Sequence, residues 1–144
     1  QGLVAGANMV GVPFRHSGSL GTGIVKVFDL TIGKIGLSKK QAEAEGFDPV
    51  IIDVDKKSNA DYFEFGTITI NAMADRKTKK LLGAQLVGEK DVDKRLDVLA
   101  AAMTYGAVVE DFVQMDISYA PPYNSVRDPL MVMGLQLLSE IENV

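Results

Sequence analysis

The segment TITINAMADRKTKKLLGAQLVG, residues 67–88, decides the fold class of this chain. In its first part, isoleucine, isoleucine and alanine at positions 68, 70 and 72 alternate with threonine, threonine and asparagine at positions 67, 69 and 71. This period of two is typical of a strand that buries one face. Residues 81–88 form a second apolar run, and the polar residues 75–80 join the two runs. The segment therefore predicts an antiparallel hairpin.

More strands are predicted on the N-terminal side of this hairpin. Residues 24–35 are rich in β-branched and apolar side chains and predict one or two strands, with Gly33 and Lys34 as a turn or bulge inside them. Residues 50–54 predict a further strand, followed by a polar loop over residues 55–61. Between these strands, Ser38 is expected to cap a short helix that ends at Gly46.

Helices are predicted after the hairpin. Residues 91–105 place apolar side chains at positions 92, 96, 99 and 103, which is the spacing of one helix face. Residues 109–115 predict a short helix, and residues 130–141 predict a final helix that is apolar on most of its circumference. Such a helix must be buried on more than one side, so we expect it to contact a second chain. Strands followed by helices predict an α+β fold, with an antiparallel sheet covered by helices on one face.

The composition excludes several function classes. A net charge of −4, with no cluster of basic and interleaved aromatic residues, argues against nucleic acid as a partner. No apolar run approaches the roughly 20 residues that span a bilayer, so we expect no membrane insertion. The absence of cysteine excludes a disulfide scaffold and a thiolate metal site, and it fits a cytoplasmic protein. The one histidine, His16, has no second ligand at metal-binding spacing, so we expect no metal.

A stiff loop, SYAPPYNSVRDP at residues 118–129, carries the first candidate functional residues. Proline fixes its own φ and restricts the residue before it, so the loop presents its side chains in fixed directions. Tyr119 and Tyr123 are therefore candidates for contacts outside this chain. The alternative is a buried structural tyrosine with a satisfied hydroxyl group.

The N-terminal part offers no phosphate site. The glycines at positions 18, 21 and 23 precede a predicted strand rather than a helix, so no helix N-terminus faces an anion. Residues 3–10 are small and apolar and predict the end of a helix packed on a neighbour. The chain begins with Gln1 and not with Met, which indicates either a piece of a longer chain or the loss of N-terminal residues.

Four motifs in order carry a family resemblance: GSLGTGIVKVFD at residues 18–29, LGAQLVG at 82–88, DKRLDVLA at 93–100, and YAPPY at 119–123, followed by Asp128 and Pro129. Over roughly residues 14–140 the chain resembles the C-terminal dimerisation domain of FAD-dependent pyridine nucleotide-disulfide oxidoreductases. The YAPPY loop looks like the branch of coenzyme A-disulfide reductases, NADH oxidases and persulfide reductases.

The resemblance implies a larger enzyme, in which residues 1–13 are the tail end of a preceding FAD domain and residues 14–144 are the dimerisation domain. FAD and NAD(P)H would bind to the preceding domains, near a single redox cysteine. This domain would form the homodimer and close the active site of the opposite subunit. By itself the chain is expected to hold no cofactor and to be inactive. A competing hypothesis is a stand-alone, non-catalytic module that binds a ligand or partner on the same scaffold.

The resemblance also implies site residues. Two tyrosines of this domain reach the partner's active site in the family, and by motif they are Tyr119 and Tyr62, as catalytic residues. Tyr123 is a further candidate for substrate binding. Lys94 and Arg95 are candidates for the phosphates of coenzyme A, and their alternative role is a solvated or salt-bridged helix face. The residues do not choose between a coenzyme A disulfide, a persulfide and another acceptor, or between NADH and NADPH.

Overall fold

The structure is a computed structural model that describes residues 1–142, so the last two positions of the predicted domain 14–144 lie outside the described residues. The elements follow in the order α1 (Gly2–Met9), β1 (Gly23–Val27), β2 (Leu30–Gly36), α2 (Lys39–Ala44), β3 (Pro49–Lys57), β4 (Thr67–Asp75), β5 (Leu81–Gly88), α3 (Val92–Thr104), α4 (Val109–Gln114) and α5 (Pro129–Glu142). Strands therefore precede the long helices, as the sequence predicts.

The five strands form one antiparallel sheet in the order β1-β2-β5-β4-β3. The hairpin predicted for residues 67–88 lies near its centre, where Ile70 pairs with Leu86 and Ala72 pairs with Ala84. These four side chains face the core, at most 5% exposed. The period of two therefore places the buried face correctly.

Helices α3 and α5 cover the face of the sheet to which these side chains point. The predicted stripe of α3 is confirmed, because Val92, Leu96 and Leu99 are buried in the same core. The short helix α2 begins at Ser38 with a capping box, and Gly46 follows it with a φ of +85°. This α+β architecture, an antiparallel sheet covered by helices, confirms the predicted fold class.

The first strand pair turns at a different place from the predicted one. Gly33 and Lys34 lie inside β2, and the turn is at Phe28 and Asp29, where Phe28 has a φ of +53°. Helix α3 packs closely on Gly33, and a Cβ at this position would lie only 3.0 Å from Leu96 Cδ2. The glycine therefore marks a close approach between helix and sheet and not a chain reversal.

Strand β3 is longer than predicted. It runs from Pro49 to Lys57, so residues 55–57 belong to the sheet and not to the predicted polar loop. Asp55 pairs with Thr69, whose hydroxyl group donates a hydrogen bond of 2.5 Å to the Asp55 carboxylate. Polar side chains fit here because they lie on the sheet face that α3 and α5 leave open.

The final helix is mostly covered by its own chain. Leu130, Met133 and Leu137 are fully buried, and α5 packs on β3, β4 and α4. Gly134 lets α4 approach, because a Cβ there would lie 3.1 Å from Phe112 Cβ. The sheet and α4 therefore cover two of its apolar sides, while Leu135 stays 41% exposed, and contact of this helix with a second chain stays a prediction.

Exposed apolar side chains lie elsewhere. In the β1–β2 hairpin the most exposed are Ile24, Val25 and Phe28, at 53%, 54% and 92%. Helix α1 forms as predicted, but none of its residues is buried by the described chain. Among residues 1–142, no helix is long and apolar enough to cross a membrane.

The β4–β5 turn is fastened by a buried carboxylate. Asp75 is 4% exposed, and it accepts hydrogen bonds from the Thr78 hydroxyl group at 2.6 Å, the Thr78 N–H at 2.9 Å and the Asp48 N–H at 3.2 Å. Burial acts to raise the pKa of Asp75, but these hydrogen bonds outweigh it and hold the pKa below its usual value. The ionised carboxylate therefore stabilises the folded chain.

Asp75→Asn is expected to lower the free energy of unfolding at pH 7 by about 1–3 kcal/mol, because it weakens hydrogen bonds to a charged group. The pKa of Asp75 is lower in the folded chain than its unfolded value of about 3.9. The ionised carboxylate therefore stabilises the folded chain fully above about pH 3.9, and this stabilisation is lost as the pH falls through the folded-state pKa. The curves of the variant and the original protein should therefore converge below pH 4 in urea titrations. Asp97→Asn is the control, at an exposed site without a described polar partner. Its free energy of unfolding should change with pH in parallel with that of the original protein.

Candidate functional site

Two loops carry the tyrosines that the sequence singles out. The Tyr62 loop is defined here as residues 58–66 and the Tyr119 loop as residues 118–128. The Tyr62 loop is closed at its base, because Ser58 N–H donates to the Gly66 carbonyl at 2.8 Å and Gly66 N–H donates to Ser58 Oγ at 3.1 Å. The buried Asn59 side chain also donates to the Glu64 carbonyl at 3.3 Å. The loop therefore has a fixed internal frame.

Charged residues fasten this loop from outside. The Lys90 ammonium donates to the Glu64 carboxylate at 2.7 Å, and this hydrogen bond lowers the pKa of Glu64. Lys57 Nζ lies 4.4 Å from the centre of the Phe65 ring, within range of a cation–π interaction. These contacts hold Glu64 and Phe65, the two residues before Gly66.

The Tyr119 loop is a turn held by its own backbone. Tyr123 N–H and Asn124 N–H both donate to the Ala120 carbonyl, at 2.8 and 3.0 Å, around the two prolines. At its end, Asp128 Oδ1 accepts from Leu130 N–H at 2.8 Å, in the first turn of α5. The loop thus continues directly into the packed helix, which fixes its direction.

The two loops meet each other and one buried arginine. Ala60 N–H donates to the Pro121 carbonyl at 3.2 Å, which joins them directly. Arg95 on α3 is 1% exposed, and its Nη2 contacts three oxygens: the Ser58 carbonyl at 2.9 Å, Asn124 Oδ1 at 3.0 Å and Asp128 Oδ2 at 3.0 Å. One side chain therefore reaches both loops.

Tyr62 and Tyr119 line one open cleft of about 480 Å³ between these loops. Their side chains are 72% and 54% exposed. Within residues 1–142, neither hydroxyl group has a hydrogen-bond partner. Lys56 and Asp55 line the same cleft from the end of β3. Tyr119 is therefore not the buried tyrosine with a satisfied hydroxyl group that was the alternative to a functional role.

The other candidates lie outside this cleft. Tyr123 is 69% exposed and is not among the residues that line the cleft, and Lys94 Nζ donates to its carbonyl oxygen at 3.1 Å. Arg95 lies in the interior. Direct contact of Arg95 with a ligand therefore finds no support, because its terminal nitrogens are engaged with protein oxygens and its side chain is covered.

The sequence missed the buried partners of Arg95. Ser58 and Asn124 are 0% and 1% exposed, although both occur in polar stretches that read as surface loops. The sequence signal nearest to this cluster is the Asp128–Pro129 pair of the family motif, because Pro129 opens α5 and Asp128 precedes it as a cap.

The described residues do not form a dinucleotide site of the Rossmann type. The glycine-rich stretch at positions 18–23 leads into strand β1, and every strand pairing in the sheet is antiparallel, whereas a Rossmann-type site uses a parallel β-α-β unit with a helix N-terminus at the phosphates. Nor do residues 1–142 bring together three or more side chains of the kind that would hold a metal ion.

A family model described as pyridine nucleotide-disulphide oxidoreductase, dimerisation domain, matches residues 22–130. The chain belongs to this family. The match includes the whole sheet and both tyrosine loops, so it confirms the family that the four motifs indicate. Domains of this family associate with partner chains, as their description states.

Individual relatives point to the predicted branch. The chain is 38% identical to the NAD(P)H sulfur oxidoreductase (CoA-dependent) of Pyrococcus furiosus over 135 residues, which are 93% of this chain and 30% of that protein. It is 34% identical to the coenzyme A disulfide reductase of Staphylococcus epidermidis over 121 residues, 83% of this chain and 27% of that protein. The NAD-dependent persulfide reductase structure from A. fulgidus superposes with a TM-score of 0.94 at 29% identity, over 99% of this chain and 27% of that chain. The chain thus spans about 30% of the relatives that it matches.

Proposed function

We propose that this dimerisation domain closes the partner subunit's active site in a homodimeric, FAD- and NAD(P)H-dependent reductase of a disulfide, a persulfide or oxygen. The observation that carries the proposal is the cleft in which Tyr62 and Tyr119 present unengaged hydroxyl groups. Relatives named as sulfur, coenzyme A disulfide and persulfide reductases support the same chemistry. FAD and NAD(P)H would bind to other domains, since the described residues offer no dinucleotide site of the Rossmann type.

The proposal includes a division into domains. We propose that residues 1–13 end a preceding FAD domain and that residues 14–144 form the dimerisation domain. Helix α1 exposes Leu3 and Met9 at 78% and 86%, an apolar surface suited to packing on another domain. We also propose a cytoplasmic location, because a chain without cysteine fits a reducing compartment.

Tyr119 has a defined chemical task in this proposal. A thiolate supplied by another part of the enzyme attacks one sulfur of the substrate disulfide, so that a new S–S bond forms and the old one breaks with its electron pair on the departing sulfur. The Tyr119 Oη–H donates a proton to that sulfur, and water in the open cleft returns a proton to the tyrosinate. Tyr62, on the opposite loop, donates a hydrogen bond to the same substrate.

The outer candidates have a binding task. Lys94 Nζ donates to the Tyr123 carbonyl oxygen, and we propose that these two neighbouring residues contact the outer part of a small thiol or disulfide such as coenzyme A. A flat aromatic face and an ammonium group suit a heterocycle and a phosphate. Arg95 contacts Asn124, the residue after Tyr123, and does not contact the substrate.

Tyr119→Phe in the full-length protein is expected to slow reduction of the disulfide or persulfide by about tenfold or more, since positioned proton donation contributes roughly 10²–10⁴-fold. Reduction of the flavin by NAD(P)H should stay within about twofold, because the hydroxyl group acts only on the thiol half-reaction. Stopped-flow absorbance separates the two half-reactions.

Tyr105→Phe is the matched control, because Tyr105 is 90% exposed at the end of α3 and does not line the cleft. It should change neither half-reaction. Equal slowing of both half-reactions by Tyr119→Phe would contradict the proposed chemistry and assign Tyr119 to the subunit contact. A full-length protein that binds no flavin would contradict the proposed enzyme and favour a binding module.

A further inference from the structure

The Arg95 side chain contacts both tyrosine-bearing loops. It projects from α3, which is packed on the sheet through Leu96 and Leu99 and is therefore a rigid support. Its Nη2 atom contacts the Ser58 carbonyl at the base of the Tyr62 loop. The same atom contacts Asn124 Oδ1 and Asp128 Oδ2 in the Tyr119 loop.

The distances leave little room for movement. The three contacts are 2.9, 3.0 and 3.0 Å long, and the side chain is 1% exposed. No helix or strand of the described residues joins the two loops across the cleft. Their direct contact is the hydrogen bond of 3.2 Å from Ala60 N–H to the Pro121 carbonyl. The separation of the two loops at their bases is therefore set by the guanidinium group.

We propose that Arg95 is a positioning residue that fixes the spacing between the Tyr62 and Tyr119 hydroxyl groups across the cleft. Its catalytic part rests on the proposed function, whereas the coupling between the loops does not. A supporting residue of this kind matters because reacting groups must be held within about 0.5 Å of the productive geometry. A misplacement of about 1 Å can cost about 100-fold in rate.

Arg95→Lys in the full-length protein tests the inference. Lysine keeps the positive charge opposite Asp128, so the buried carboxylate is still paired. The whole lysine side chain reaches less far than that of arginine, and its ammonium group is a compact point charge that lacks the planar fork of a guanidinium group. The variant should therefore fold, while its Nζ fails to reach all three oxygens at once.

The first readout is amide hydrogen exchange, which needs no activity. Ala60 N–H and Gly66 N–H, which hold the Tyr62 loop, should exchange at least tenfold faster in Arg95→Lys. Ile70 N–H in β4, which pairs with strands on both sides, should change by less than twofold. Asp97→Asn is the control, because Asp97 lies exposed on the same helix and has no described polar partner. It should show no selective effect on the loop amides.

The second readout is turnover. Arg95→Lys should lower kcat for the disulfide at least tenfold, with flavin reduction and KM within about threefold, whereas Asp97→Asn should retain kcat. Unchanged exchange at Ala60 and Gly66 would overturn the positioning role. Faster exchange with unchanged kcat would also overturn it and leave Arg95 a stability residue. A wild-type protein without reductase activity refutes the proposed function, and the exchange result then decides the loop coupling by itself.

Discussion

Asp128→Ala is expected to lower the free energy of unfolding by about 3–5 kcal/mol, the usual cost of removing one partner from a buried ion pair. Asp128 is 5% exposed, and its Oδ2 lies 3.0 Å from Nη2 of the buried Arg95. The variant would leave the buried guanidinium group without its buried carboxylate, and the remaining one, that of the partly exposed Asp91, lies 3.6 Å from Nη1. It would also remove the cap of α5, because Asp128 Oδ1 accepts from Leu130 N–H, which adds about 1 kcal/mol.

Two further variants separate these contributions. Asp128→Asn keeps an oxygen for the cap but removes the charge, so its loss should be smaller than that of Asp128→Ala. Asp116→Ala, at an exposed position in the preceding segment, should cost less than about 0.5 kcal/mol. The measurement is urea unfolding at one fixed protein concentration, because association with a partner chain makes the midpoint depend on concentration.

A double-mutant cycle identifies the ion pair as the cause. Arg95→Met combined with Asp128→Asn should cost less than the sum of the two single losses, since the double variant leaves no unpaired charge in the interior. Strictly additive losses would contradict the interaction. A loss below about 1 kcal/mol for Asp128→Ala would show that water replaces the carboxylate and that the pair does not stabilise the loops.

The sequence predicts those parts of the fold that depend on local spacing. The hairpin of residues 67–88 follows from alternation, and α3 follows from apolar positions on one helix face. The turn at Phe28 and Asp29 does not follow, because Phe28 adopts a positive φ that its residue type does not indicate, while Gly33 in the middle of β2 imitates a turn. In that stretch, packing against α3 decides the structure and residue propensity does not.

The site shows the same division. Tyr62 and Tyr119 can be identified from the resemblance, but that they line one cleft depends on long-range folding. Arg95 follows Lys94 on the helix and reads as another surface cation, although the structure buries it. Its burial depends on three oxygens from segments about 30 residues or more away in the sequence. No local sequence pattern predicts that these three oxygens meet at Arg95, because each of the three residues by itself is an ordinary loop residue.

Gly36→Ala is expected to cost about 3 kcal/mol or more, because strain and steric overlap act together. Gly36 has a φ of +74°, which an alanine adopts only at a cost. An added Cβ would also collide with the Leu82 carbonyl oxygen, and it would lie 2.8 Å from the Gly83 Cα. That carbonyl cannot move freely, because it accepts from Leu37 N–H at 2.9 Å.

Gly46→Ala separates the two contributions to that loss. Gly46 has a similar φ of +85°, but an added Cβ would meet nothing within 4 Å. Its replacement should therefore cost only the conformational strain of about 1–2 kcal/mol. Urea unfolding of both variants measures the difference, which reports the overlap between β2 and β5. Equal losses would mean that the two strands separate to admit the methyl group. Because α3 packs on β2, such a separation would also shift the helix that carries Arg95. If Gly36→Ala loses no more stability than Gly46→Ala but its Ala60 N–H exchanges faster, the packing of the sheet is coupled to the position of the cleft loops.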